Sequence, residues 1–130
     1  MSDVSVLAEA DGLINGDRRH DYGHALDNFG RIVTMWNAHL RMRTFRLTDE
    51  ELVQAVRSGT YLTEEDIGWL MADVKRCREE QRPQRDNKVD AAGYIGLIEH
   101  VEDERAERAL DRAGFPPVQV ADPPNGWSVP

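Results

Sequence analysis

Arg85-Asp86-Asn87-Lys88-Val89-Asp90-Ala91-Ala92-Gly93-Tyr94 reads as a polar turn running straight into a helix. Asp86 and Asp90 are four residues apart, so a helix beginning near 87 carries both carboxylates on one face. Arg82, Arg85 and Lys88 stand beside them, a combination that suits a phosphate-bearing ligand, with or without a metal. A plainer reading is available from the same residues. Asp86 or Asn87 then caps the helix N-terminus, and Asp90 is a solvated first-turn acid favoured by the helix dipole. Either way Pro83 stops the helix before this stretch.

Working upstream, Thr63-Glu64-Glu65-Asp66 is an N-cap with acids in the first turn, and it launches a helix to about 81. Its expected buried stripe is Ile67, Leu70, Met71, Val74 and Cys77, with Lys75 and Arg78 on one flank and Asp66 and Asp73 on the other. Thr48-Asp49-Glu50-Glu51 opens a short helix in capping-box style that Ser58-Gly59 ends, an insertion or a lid. A long helix from about 24 to 43 carries Leu26, Phe29, Ile32, Val33, Trp36 and Leu40 at three- and four-residue steps. Phe29 and Trp36 face the same way, as core residues or as a stacking pair for a base. Before it, Gly16-Asp17-Arg18-Arg19-His20-Asp21-Tyr22-Gly23 is a densely charged loop with a tyrosine and a terminal glycine, the composition of a structured turn. A first helix spans about 3 to 15, and Asn15-Gly16 stops it.

Downstream, the helix opened by Asn87 is expected to reach about 113, with Val89, Tyr94, Leu97, Ile98 and Val101 apolar and a mostly charged second half. Residues 115–130 hold five of the six prolines and are expected to form an extended tail lying along the domain or a neighbouring subunit. No segment alternates with period two, and no Gly-rich phosphate loop, His-Glu-x-x-His or nucleophile elbow occurs. The expectation is an all-α protein with a helical domain at 1–114 and a tail at 115–130.

A chain of 130 residues makes one domain, and its net charge of −8 disfavours nonspecific nucleic-acid or anionic-membrane binding. The N-terminus lacks the basic region of a signal peptide, and no apolar run spans a bilayer, so a cytoplasmic location is expected. The single cysteine, Cys77, excludes an internal disulfide and a thiolate zinc site, and its stripe position marks it as core.

Against this acidic background the basic residues cluster. Lys75, Arg76, Arg78, Arg82, Arg85 and Lys88 lie within fourteen positions, and Arg18, Arg19, His20 and His24 add to them from the first loop. An acidic protein with one basic corner suits a compact anion. If Asp66, Asp86 and Asp90 converge, they hold Mg²⁺ through hard oxygen donors, and a metal-bound water attacks a phosphoanhydride while Lys75, Arg78 or Arg85 neutralises the phosphates. Binding without turnover uses the same cations, with Tyr22, Tyr94 or Trp36 stacking on a base and the carboxylates taking ribose hydroxyls.

The runs Asn15 to His24, Asn28-Phe29 with Ile32 and Trp36, Asp66/Met71/Lys75/Arg78, and Asp86-Asn87 with Asp90-Ala91-Ala92-Gly93-Tyr94 together resemble a family of small bacteriophage and prophage proteins of uncharacterised function. The resemblance covers about positions 7 to 100. More distantly, the chain is similar to all-α nucleotide pyrophosphohydrolases of the MazG-like and dimeric dUTPase type, and to phage nucleotide-modification domains with a Lys/His-Asp-Tyr-Gly motif. That similarity implies a four-helix core, a dimer or tetramer, Mg²⁺ between two helices, and cleavage of a nucleoside triphosphate in the cytoplasm of the infected host. It places Asp90 and Lys75 as catalytic residues and Asp66, Asp86 and Asp90 as metal ligands. Arg18, Arg19, His20, Asp21, Tyr22, His24, Lys75, Arg78, Arg85, Asn87 and Tyr94 then line the ligand. Asn87 stands where the hydrolases carry a glutamate, which opens two alternatives: a sponge that sequesters a host nucleotide immune signal, and a structural or partner-binding helical protein.

Overall fold

The computed structural model describes residues 5–16 and 23–114. Residues 1–4, 17–22 and 115–130 lie outside them, and with them Arg18, Arg19, His20, Asp21, Tyr22 and the expected extended tail. All regular structure among the described residues is helical: α1 (Val6–Asn15), α2 (Ala25–Thr44), α3 (Asp49–Ser58), α4 (Glu64–Gln81) and α5 (Arg85–Arg112). The start signals act as their chemistry dictates. Thr48 and Glu51 exchange reciprocal hydrogen bonds at the head of α3, and Gly59 ends that helix in the left-handed conformation at φ 73°.

The fold centres on α4, which packs against α5 on one side and α2 on the other. Both neighbours run antiparallel to it. Lys75 meets Asp90 while Gly68 meets Ile98, and Cys77 meets Met35 while Asp66 meets His39. Burial along α4 follows this placement. Asp66, Gly68, Leu70, Ala72 and Val74 are all buried. Residues two apart on a helix point about 200° apart, so an every-second-residue pattern means that two opposite faces are covered. Asp66, Leu70, Val74 and Cys77 form the α2 side; Gly68 and Ala72 form the α5 side, where small side chains let the helices close.

This corrects the single stripe expected from periodicity. Ile67 is 52% exposed, since it falls between the two covered faces, whereas Cys77 is core at 2% and packs its thiol 3.3 Å from the Met35 thioether. On α2, Trp36 is half-buried with its Nε1–H donating to the Leu70 carbonyl at 2.9 Å, and Phe29 is 63% exposed. The two aromatics therefore do not share an environment. Three helices pack where the resemblance implies four, because α1 and α3 bury none of their residues. No helix among the described residues is long and apolar enough to cross a membrane.

Candidate functional site

Antiparallel packing brings three helix ends together: the N-terminus of α2, the C-terminal half of α4 and the N-terminus of α5. Most of the sequence-derived site residues sit here. His24 is the N-cap of α2 and offers no side-chain cap, so the first-turn amides of that helix have no side-chain partner from it. Lys75, half-buried on α4, pairs with the more exposed Asp90 of α5 at 3.0 Å. Arg78 is half-buried one turn further along α4. Arg85 and Asp86 open α5 and are exposed, and Tyr94 is half-buried one turn beyond Asp90.

Asn87 is buried at 8% exposure, and its role is structural. Its amide donates to Glu79 Oε1 and to the Arg82 carbonyl, both at 3.3 Å. Glu79 was not singled out from sequence, yet it organises this end. Its carboxylate accepts the Gln84 N–H at 2.7 Å and the Lys88 ammonium at 2.5 Å. Lys88 and then the Gln84 N–H hold the Glu79 carboxyl below its ordinary range. A carboxylate supplied from α4 thus occupies the position at the head of α5 that an anion would take. The basic cluster is also less open than its composition suggests: Lys75, Arg76 and Lys88 are matched by Asp90, Glu80 and Glu79.

Asp66 does not join this end, which corrects the expected Asp66–Asp86–Asp90 triad. Nine residues separate it from Lys75, about 13 Å along the helix axis. Asp66 is 2% exposed, and both of its oxygens are engaged. It accepts from the Arg43 guanidinium, from the Thr63 N–H at 2.7 Å and Thr63 Oγ1 at 3.0 Å, and it meets His39 Nε2 at 3.0 Å. Burial pushes the Asp66 carboxyl up, but the Thr63 amide, Arg43, His39 and the Thr63 hydroxyl outweigh it and hold it at about 2. Arg43 also donates to the Tyr61 carbonyl, and the Tyr61 hydroxyl to the Leu40 carbonyl at 2.9 Å. Asp66 is the tie that fastens α2 and the 61–63 turn to the start of α4.

Among the described residues the expected Mg²⁺ ligands Asp66, Asp86 and Asp90 do not come together. Asp66 is spent and distant, Asp90 is committed to Lys75, and no group of three His, Cys, Asp or Glu side chains converges among the described residues. What this end does offer is hydrogen bonding and positive charge. Arg31 reaches Gln81 Oε1 at 3.4 Å across the α2–α4 seam, and Gly23, at φ 75°, approaches Gln81 so closely that a Cβ there would lie 2.9 Å from its Cδ. Gly23 therefore sits directly against this end. Asn28 lies just inside it, 5% exposed, with an Oδ1 that has no partner among the described residues.

Comparison with known proteins follows the same division of what is legible. The chain is 36% identical over 106 residues to the Gene 55 protein of Mycobacterium phage L5, a match covering 78% of this chain and 57% of that protein. It is 29% identical over 104 residues to the Gene 55 protein of Mycobacterium phage D29, covering 79% of this chain and 57% of that protein. The chain thus spans a little over half the length of these curated relatives, and their source supports a bacteriophage origin. No solved structure matches the chain. Residues 5–102 match the family described as a domain of unknown function, DUF6378, and the chain belongs to that family.

Proposed function

We propose that the protein binds a phosphate-bearing nucleotide at the end of the bundle where α2, α4 and α5 meet. The observation that carries this reading is the joint placement of Lys75, Arg78, Arg31 and the N-terminus of α2, which His24 does not cap, at one end of an otherwise acidic molecule. Cationic side chains and helix amides together bind phosphate more strongly than either does alone. Retention of an intact ligand, as in a sponge for a host nucleotide signal, is favoured over turnover by the commitment of Asp90 to Lys75 and of Asp66 to Arg43.

The second reading keeps the MazG-like pyrophosphohydrolase. Asp86 and Asp90 share one face of α5 and both are exposed, which supports it. An assembly of two or more copies belongs to either reading: eighteen large apolar side chains are exposed among the described residues against three buried, Leu70, Val74 and Ile98, and a helix from a second copy would complete a four-helix core. The structural or partner-binding alternative requires no nucleotide at all.

The test is incubation of the full chain with Mg²⁺ and a panel of dNTPs, NTPs and cyclic or ADP-ribose-type nucleotides. Intact ligand recovered after denaturation, insensitive to EDTA and lost in Lys75→Glu, is the expected outcome. Pyrophosphate release that disappears in Asp90→Ala establishes the hydrolase instead. The absence of any nucleotide interaction in the wild-type chain leaves the structural alternative.

A further inference from the structure

Asn28 is the one buried polar residue on α2, and its carbonyl is unexplained by the fold. It occupies the α4-facing stripe that continues through Arg31, Met35 and His39, each of which contacts α4. Three residues along, the Nε of Arg31 is buried and likewise has no partner among the described residues. At positions i and i+3 the two side chains are neighbours, so a buried acceptor and a buried donor lie on one face in the first two turns of a twenty-residue helix. Buried carbonyls in folded proteins are nearly always satisfied, and an orphaned one beside an orphaned donor marks a place for a group that supplies both.

Resting on the nucleotide reading above, we propose that Asn28 and Arg31 recognise the nucleoside part of the ligand. Asn28 Oδ1 accepts a hydrogen bond from an N–H or O–H of the nucleoside, and Arg31 Nε donates to the acceptor beside it. The shared chemistry is an adjacent donor and acceptor, which a ribose hydroxyl or a base edge presents equally well. The phosphates, which lack a donor at neutral pH, do not satisfy Asn28 and fall to the cationic residues and the α2 amides. Asn28 is therefore the specificity determinant and Lys75 part of the general anion grip.

Calorimetric titration of the full chain with inorganic tripolyphosphate and with ribo- and 2′-deoxyribonucleoside triphosphates tests this. At least one nucleotide binds at least about tenfold tighter than tripolyphosphate, as expected of a site built to pair a ligand hydrogen-bonding group. Asn28→Leu, or Asn28→Ala if the first variant fails to fold, brings that nucleotide down to the tripolyphosphate level and leaves tripolyphosphate unchanged. The ligand-free Asn28→Leu protein melts at or above the wild-type temperature, because an unsatisfied carbonyl is replaced by an apolar group. Ribo against deoxyribo at constant base identifies a sugar hydroxyl as the donor, and variation among bases at constant sugar identifies a base edge. Tripolyphosphate binding with no preference for any nucleotide overturns this inference alone. Unchanged preference with a lowered melting temperature in Asn28→Leu overturns it too, as the mark of a carbonyl satisfied by structural water. Failure of the wild-type chain to bind tripolyphosphate, any nucleoside triphosphate, or any cyclic or ADP-ribose-type nucleotide of the panel above overturns the nucleotide reading with it.

Discussion

At the scale of single residues, Asp66 shows how far a side chain's neighbours decide its meaning. By sequence it is a first-turn acid and a metal candidate; in the fold it is the acceptor for Arg43, Thr63 and His39. Asp66→Ala leaves those donors facing a void, and urea denaturation should record a loss of about 3 kcal/mol, the range for removing one partner of a buried pair. Its ionisation also sets acid stability. The folded carboxyl is held at about 2, below the 3.8 of a free aspartate side chain, so protons bind preferentially to the unfolded chain. The stabilisation, about 2 kcal/mol, is fully present above pH 4 and is lost as pH falls toward 2. Wild-type and Asp66→Asn melting temperatures should therefore converge over that window, and parallel curves would refute the assignment.

At the scale of elements, α4 and α5 meet through Gly68. A Cβ there would stand 2.5 Å from Ile98 Cγ1 and 3.0 Å from the Tyr94 carbonyl, and the backbone atom cannot step aside. Gly68→Ala should cost about 1–3 kcal/mol by forcing the helices apart, and Ile98→Ala in the same chain should recover only the part due to the side chain. At the other end of α5, Glu79 performs the capping that Gln84 does not, since Gln84 makes no side-chain cap bond. Glu79→Ala should lower the melting temperature more than Glu79→Gln, which keeps an acceptor oxygen for the Gln84 amide. Helix existence and most boundaries were legible because caps and breakers are local: Thr48, Gly59, Thr63 and Pro83 act on their own neighbours. Which faces are covered was not legible. Periodicity found one stripe on α4, whereas two flanking helices cover two faces, and only the tertiary arrangement distinguishes Ile67 from Gly68. The same holds for the site. Lys75 and Asp90 were singled out from the sequence and form an ion pair, but Glu79 takes its role from groups 5 to 9 residues away, and the burial of Asn28 follows from the packing of α2 on α4.

At the scale of the whole molecule, stability is concentrated in α4 and its two neighbours. The ten-residue α1, with Val6 and Leu7 each 83% exposed, is too short to hold its own helix without a partner. Hydrogen exchange of the free protein at low concentration should release α1 amides within seconds and those of α4 at residues 70–77 last. Protection of α1 that grows with protein concentration would signal that another copy covers it, and sedimentation over the same range would report the change in mass.

Cys77 turns this concentration of stability into a measurement. Its thiol is buried against Met35 in the α2–α4 seam, and burial raises its pKa, so a disulfide-exchange reagent finds neither access nor thiolate while the seam is closed. The molecule carries a built-in clock for the opening of its own centre. Labelling rates taken with and without nucleotide would register ligand binding beside Cys77, between Lys75 and Arg78 on the same helix, with no added probe.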